Sequence, residues 1–259
     1  MDLGISGRRA FVLGASTGIG YAIAKQLFDA GASVTIASRH QDSLIQAADR
    51  LSDVVEVETL AVDATDPNAP ETLAAHFGDD PLDILVVAVG GSIRSPFDDL
   101  ADDDWEANYS LNVLGPVRAV RALLPNIRRS TAGSILLLGA AASKMPYKNQ
   151  VVSNVHKAGT LALVKTLALE LADDGIRVNA VAPGRTKTRL WLDRAANMAA
   201  DRGCTPEEIL EEFSEEIPIG RFAEPDEIAA VAAFVVSERA SYMTGQNISV
   251  DGGIGRGLL

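Results

Sequence analysis

Short apolar runs alternate along the chain with longer stretches in which apolar residues recur every three or four positions. The runs at 9–13, 33–37, 55–62, 82–89, 134–138, 177–182 and 247–250 have the length and character of strands. The stretches at 18–30, 42–51, 67–77, 102–129, 151–172, 189–216 and 226–236 have helical spacing. In the first of these, Ile19, Ala22, Ile23, Leu27 and Phe28 share one face, and Gly31 is placed to close the helix. Pro67 suits a first helical turn. Pro116, inside the long helix expected over 102–129, is expected to kink it. Asp173-Asp174-Gly175 ends the helix expected over 151–172. The run at 82–89 is almost wholly apolar, as happens when helices cover both faces of a parallel sheet. The polar stretch 189–216 reads as a helical insertion, a lid over a substrate pocket. Seven strands joined by crossover helices predict one α/β domain spanning 1–259: a doubly wound, seven-stranded parallel sheet with helices on both faces.

Composition narrows the partners. Hydrophobic residues make up 47% and charged residues 22% of 259, which suits a globular chain with a full core and excludes a disordered one. The net charge of −12 disfavours nucleic acid and anionic membrane surfaces. Cys204 is the sole cysteine, which excludes an intrachain disulfide and a cysteine-cluster metal site and fits a reducing compartment. The opening Met1-Asp2-Leu3-Gly4 lacks the basic start and apolar run of a secretion signal, and no run of about 18 apolar residues exists. The expectation is a cytoplasmic protein acting on a small molecule, without nucleic acid, membrane or metal.

The first strand runs directly into Gly14-Ala15-Ser16-Thr17-Gly18-Ile19-Gly20, where a helix begins. Glycines there allow a tight turn and close backbone approach to a pyrophosphate, whose charge sits on the helix N-terminus. A plain tight turn needs glycine as well, but the position between first strand and first helix favours a dinucleotide cradle of the Rossmann-like kind. The second strand ends at Ala37-Ser38-Arg39-His40. An acidic residue after this strand would bond the adenosine 2′-hydroxyl, whereas an arginine accommodates a 2′-phosphate. Arg39 therefore selects NADP(H) over NAD(H), unless it is only a solvated strand-end arginine. Asp63, after the third strand, either accepts from the adenine amine or simply shapes a turn.

The order Gly14-x-x-x-Gly18-x-Gly20 resembles that of the short-chain dehydrogenase/reductase family, particularly its ketoacyl-carrier-protein reductase-like members. The likeness runs from about Leu3 to Gly253. Asp83-Ile84-Leu85-Val86-Val87-Ala88-Val89-Gly90 falls where that family has its fourth strand and an Asn-Asn-Ala-Gly turn, which places Gly90 at the cofactor. Asn112 matches the active-site asparagine. Arg177-Val178-Asn179-Ala180-Val181-Ala182-Pro183-Gly184 matches the stretch that leads to the nicotinamide, and Thr188 the threonine at its carboxamide. Gly245-Gln246 and Asp251-Gly252-Gly253 resemble the C-terminal signature. The resemblance implies hydride transfer between NAD(P)H and a carbonyl or alcohol. In the family a tyrosine carries the proton, a lysine four residues on lowers its pKa and bonds the nicotinamide ribose, a serine holds the carbonyl oxygen, and the asparagine carries a water chain. It also implies a homotetramer, or a dimer, built on the long helices at 102–129 and 151–172 and the last strand.

The chain departs from that pattern at the reacting oxygen. The serine position falls on Ala140 and the tyrosine position on Ser153, while Lys157 stands four residues further on. Val87 and Ala88 replace the two asparagines, and Leu13 the threonine that leads the glycine motif. An alkyl hydroxyl is a far weaker acid than a phenol and is too short to reach the phenol's place. Loss of a positioned general acid costs about 10²–10⁴-fold, roughly 3–5 kcal/mol. The catalytic set is then Lys157, Asn112 and Ser153, with the proton donor open among Lys157, His156, Tyr147 and water. Lys157 acts as acid or binds ribose only; His156 titrates near neutrality but lies off the Ser153–Lys157 line. Tyr147 and Lys144 lie near the expected substrate mouth, and Ser92, Arg94 and Trp191 are candidate substrate contacts or ordinary loop packing. Three functions remain: a reductase with an atypical donor, a lyase or isomerase using the same pocket without redox change, and a non-catalytic nucleotide-binding subunit.

Overall fold

A computed structural model describes residues 2–52 and 54–257, so Met1, Asp53 and the last two residues of the expected 1–259 domain lie outside it. The chain runs β1 (Arg9–Leu13), α1 (Gly18–Asp29), β2 (Ser33–Ser38), α2 (Gln41–Leu51), β3 (Glu58–Ala61), α3 (Ala69–Phe77), β4 (Ile84–Val87), α4 (Asp102–Tyr109) and α5 (Gly115–Arg128). It continues with β5 (Ser134–Leu138), α6 (Val151–Glu170), β6 (Arg177–Pro183), α7 (Arg189–Arg202), α8 (Pro206–Glu215), α9 (Pro225–Val236) and β7 (Asn247–Val250). All neighbouring strands are parallel, in the order β3-β2-β1-β4-β5-β6-β7, which is the doubly wound, Rossmann-like sheet expected.

Strand alternation sorts the core into two layers. Val12, Ile36, Val86, Leu136 and Val181 point to the side covered by α1 and α9, where they meet Ile23, Leu27, Ile228 and Val235. Phe11, Leu13, Leu85, Val87, Ile135 and Leu137 point to the other side and meet Leu73, Leu123, Val164 and Ala168 of α3, α5 and α6. A third cluster stands apart. Ala195, Ala199, Ile209, Phe213 and Phe222, with Trp191 packed against them, bind α7 and α8 to the chain that follows. The lid expected at 189–216 is thus two helices with an apolar centre of their own.

Five expectations need correction. Pro67 lies ahead of α3, whose first turn holds Pro70 instead. The expected single helix at 102–129 is α4 and α5 joined by a π-helical turn, Ser110–Leu114. Pro116 does not kink it: it lies in the first turn of α5, where a proline has no hydrogen bond to lose. The irregularity comes one turn earlier, where the ladder slips to a wider ring. The run at 55–62 pairs only over Glu58–Ala61, because Val54 and Val55 are exposed and find no core to face. The run at 82–89 forms strand only over Ile84–Val87: Leu82 and Ala88 continue the apolar pattern, which does not mark where ladder pairing stops.

Arg177 ties the far edge of the sheet together. Its guanidinium donates to the carbonyls of Val235, Val236, Ser237, Ala240 and Met243 at 2.8–3.3 Å, gathering the end of α9 and the turn after it. These are the carbonyls that a helix C-terminus leaves without partners, and a cation there is doubly favoured. We expect Arg177→Met to destabilise the protein by about 3 kcal/mol, read as a lower denaturant midpoint in equilibrium unfolding. A loss under about 1 kcal/mol would mean that water replaces the guanidinium.

Candidate active site

The carboxyl ends of β1, β4, β5 and β6 open into one cleft, and small residues at those ends make it. Gly14 turns the chain out of β1 at φ +89°, and a Cβ on it would lie 2.9 Å from the carbonyl carbon of Ala88. Gly18 takes φ +60°, and a Cβ on Gly20 would fall 2.1 Å from the Gly14 oxygen. Neither close approach tolerates a side chain. The turn Gly14–Gly20 therefore presents bare backbone at the N-terminus of α1. Thr17 occupies the N-cap but its side chain accepts no capping hydrogen bond, so the first N–H groups of the helix are without that partner. This cradle fits the pyrophosphate of a dinucleotide. Thr188 reaches it from the far side: its Cγ2 lies 3.4 Å from where a Gly18 Cβ would stand.

Beyond the cradle the cleft deepens into a cavity of about 380 Å³. Ile19, Gly90, Ser153, Lys157, Pro183, Gly184 and Thr188 line it, as does Ala140. The sequence thus places its serine and tyrosine positions on the cavity wall, occupied by a methyl and a short hydroxyl. Ser153 is buried, and its Oγ accepts a hydrogen bond from the Ile93 amide at 3.1 Å. That bond pins the loop after β4 to α6. Lys157, one turn further along α6, is buried too; its Nζ donates to the Leu138 carbonyl at 3.2 Å. Burial lowers its pKa to about 8, since removal from water disfavours the ammonium. Gly90 is shaped around it, for a Cβ there would stand 2.8 Å from Nζ and 3.0 Å from Asn112 Oδ1.

Asn112 does not line the cavity. It lies beneath the Gly90–Gly91 turn, in the π-helical segment, and clamps that turn. Its Nδ2 donates to Gly91 O and Asn108 O, both at 3.1 Å, and its Oδ1 accepts from Gly91 N at 3.2 Å. The wider ring of the π-turn is what carries the amide into this position. Behind it, His156 Nδ1 lies 2.8 Å from Asn108 Oδ1, with its ring packed edge-on against Trp105 and Tyr109. His156 thus braces Asn108 and is not among the residues lining the cavity, and burial lowers its pKa, which favours the neutral ring. Tyr147 does line the cavity, but burial raises its pKa, which makes it a weaker acid than an ordinary phenol. Lys144 turns away, donating to Asn247 O at 3.3 Å.

At the end of the cleft beside β2, Arg39 is exposed just past the strand. Asp63 faces it. Burial alone would raise the Asp63 pKa, but hydrogen bonds from the Thr65 amide and hydroxyl, with the charges of Arg39 and His40 nearby, hold it below the usual carboxylate value. One oxygen of Asp63 thus shapes a turn, the plainer of its two readings. At the other end Ser92, Arg94 and Trp191 line the cavity, together with Arg185 and Arg194, which sequence reading did not single out. Single arginines in a polar segment carry no periodic or motif signal; only the tertiary fold brings them together.

The chain is similar to known proteins over nearly its whole length. Residues 14–255 match the family described as enoyl-(acyl carrier protein) reductase. The chain is 32% identical to 2,3-dihydro-2,3-dihydroxybenzoate dehydrogenase of Bacillus subtilis, over 98% of each chain. It is 34% identical to dehydrogenase/reductase SDR family member 4 of Homo sapiens, over 96% of this chain and 88% of that one. L-Sorbose reductase from Gluconobacter frateurii, solved with NADPH and L-sorbose, superposes with a TM-score of 0.94 at 35% identity over the whole of both chains.

The clamp makes a direct prediction. Asn112→Ala strands the amide and carbonyl of Gly91 in a part-buried site, at a cost of about 2–3 kcal/mol. Unfolding should report most of that loss, and nicotinamide fluorescence titration should show weakened dinucleotide binding. Unchanged stability and affinity would show that the Gly90–Gly91 turn holds its shape unaided.

Proposed function

Because the chain belongs to the short-chain dehydrogenase/reductase family of oxidoreductases, we propose that it is an NADP(H)-dependent oxidoreductase of a small carbonyl or alcohol in which Lys157 supplies the proton that a tyrosine supplies elsewhere in the family. The observation that carries this reading is the buried Lys157 amine, with its pKa lowered to about 8, on the same cavity wall as Ala140 and Ser153. A bound nicotinamide dinucleotide would supply or accept the hydride. The turn of Gly14, Ser16, Thr17, Gly18, Ile19 and Gly20 would hold its pyrophosphate, Arg39 its 2′-phosphate and Asp63 its adenine. Gly90, Pro183, Gly184 and Thr188 would enclose the nicotinamide, with Asn112 holding the neighbouring Gly91 from below. NADPH in the solved L-sorbose reductase supports the choice of cofactor.

Ser153 and Lys157 divide the work of the missing phenol. Ser153 Oγ accepts from the Ile93 amide, which leaves the hydroxyl proton to donate to a substrate oxygen in the cavity. Its own ionisation lies far too high to deliver that proton. Lys157, one turn away on the same face, titrates near the pH at which a general acid is most effective. In reduction its ammonium gives a proton to the nascent alkoxide, directly or through one water; in oxidation the neutral amine takes it back.

Lys157 also supports a second reading. A desolvated amine with a pKa of about 8 is a nucleophile as well as an acid, and suits aldol-type or isomerase chemistry in the same pocket. In that case turnover leaves NADPH absorbance unchanged. A cytoplasmic location accords with the single free thiol, Cys204. A homotetramer or dimer is supported by Val155 and Leu169, which stand exposed on α6.

Two measurements test the proposal. Titration with NADPH and NADH should show tight binding of NADPH alone, and Arg39→Asp should shift the preference toward NADH by about tenfold or more, the effect of losing a charge-assisted contact to phosphate. Equal binding of the two cofactors by the unaltered protein would remove Arg39 from its role. The second is the pH dependence of kcat. Because the donor is the protonated amine, carbonyl reduction should be flat below about pH 8 and fall about tenfold per unit above it, with alcohol oxidation showing the mirror image. Lys157→Met should abolish the inflection along with the activity; an inflection that survives the substitution would assign the proton to another group.

A further inference from the structure

Whatever the reacting carbonyl belongs to, the far end of its cavity is built for a negative charge. The chain as a whole is strongly acidic, at −12, yet three guanidinium groups converge where Ser92 and Trp191 line the cavity. They come from three separate places: Arg94 from the loop after β4, Arg185 from the segment between β6 and α7, and Arg194 from α7. Arg185 is compensated, pairing with Glu216 and donating to the Phe213 carbonyl. Arg94 and Arg194 have no carboxylate within 4.0 Å among the described residues. Arg194 is part-buried. One of its nitrogens donates to Ser92 Oγ at 2.9 Å, and its guanidinium lies over the Trp191 ring, 4.8 Å from the centroid. Arg94 lies over the Phe213 ring at 5.5 Å.

This arrangement is costly as it stands. Burial and then the charges of Arg94 and Arg185 disfavour the Arg194 cation, and its pKa is lowered accordingly. Stacking on aromatic rings orients the guanidinium groups and offsets part of their desolvation, but it does not neutralise them. Their remaining N–H forks are free to grip two oxygens of one anionic group. The dinucleotide's phosphates have their own cradle at Gly14–Gly20, and Lys157 holds the reacting end of the cavity. We infer that the substrate is a small carbonyl or hydroxy compound bearing an oxyanion, a carboxylate or a phosphate ester, which Arg194 and Arg94 hold while its carbonyl faces Ser153 and Lys157. The inference rests on the proposed function only for which end of the cavity is the reacting one.

The loop geometry supports the pairing of the two ends. Ser153 fixes the Ile93 amide, and the neighbours of Ile93 are Ser92 and Arg94. The Ser95 amide donates to the carbonyl of Asn149, the one described non-glycine residue at positive φ, just ahead of α6. The segment that presents Arg94 and holds Arg194 through Ser92 is thus fastened once to the helix that carries Lys157 and once to the turn that leads into it. An anion gripped at one end stands in fixed register with the amine at the other.

The test is calorimetric and needs no turnover. Two matched pairs are titrated into the protein, with and without NADP⁺: 4-oxopentanoate against its methyl ester, and dihydroxyacetone phosphate against dihydroxyacetone. Each pair differs in charge at one end and shares a carbonyl. At least one anion should bind about tenfold more tightly than its neutral partner or better, the scale of a charge-assisted hydrogen bond in a part-buried site. Which pair shows the preference tells carboxylate from phosphate. Arg194→Met should abolish the preference and Arg94→Met reduce it, and NADP⁺ binding to each variant reports that the fold survives. If Arg194→Met does not fold, Arg94→Met, on an exposed loop, carries the comparison. The inference is overturned if neither anion outbinds its partner, if the preference survives both substitutions, or if it vanishes once NADP⁺ is bound, since the cluster would then belong to the cofactor. A preference that holds while no ketone is ever reduced would defeat the redox reading and leave the anion site standing.

Discussion

The close approach of backbone to backbone at the carboxyl edge of the sheet is the constraint on which the site depends. Four strands end side by side, and at the ends of β1 and β6, and again where α1 begins, a glycine lets the chain pass within a distance that no side chain could share. Gly14 comes up against Ala88, Gly20 against Gly14, and Gly184 against Asp251, where a Cβ would meet Cα at 2.6 Å. The space thus kept clear is lined by amides and carbonyls. Parallel strands bury both faces of the sheet, which leaves this edge as the place where polar backbone can face a ligand. Phosphate cradle, clamped turn and cavity all follow from it.

On that scaffold the electrostatics are unusual at both ends of one cavity. Lys157 is a buried cation with a single carbonyl acceptor, and its proton is held loosely for that reason. Arg194 is a part-buried cation crowded by two others. A cavity lined this way, in an acidic protein, concentrates positive potential where the surface disperses it. The absence of a phenol at position 153 belongs to the same economy. A tyrosine would have stabilised itself as phenolate beside Lys157; a serine leaves the ammonium as the most acidic group on that wall, while its Oγ fastens the loop that carries Arg94.

The fold was legible because its signals are local and repeated. The apolar run of β1, the glycines after it and the face of Ile19, Ile23 and Leu27 each say the same thing, whereas Asn112, Ser153 and Lys157 were singled out only through the family resemblance. What was not legible arises from contacts between distant segments. Pro116 looks like a kink in any window of sequence, and only the π-turn before it shows that it opens a new helix. The imidazole of His156 invites an acid/base role although it lies off the Ser153–Lys157 line, and only the fold shows Trp105, Tyr109 and Asn108 around it. Arg185 and Arg194 are unremarked charges until three elements meet. Strand ends such as that of β3 depend on where a partner strand stops, which the strand's own residues do not encode.

The separate apolar centre of α7 and α8 has a consequence of another kind. Because Ile209, Phe213 and Phe222 pack among themselves rather than into the two layers of the sheet, changes in the lid are felt little by the main core. Residues there can be exchanged over generations without jeopardising the scaffold, and the pocket's preference can drift while the cradle stays fixed. In such a molecule the fold and the shape of the pocket are tuned by largely separate sets of contacts.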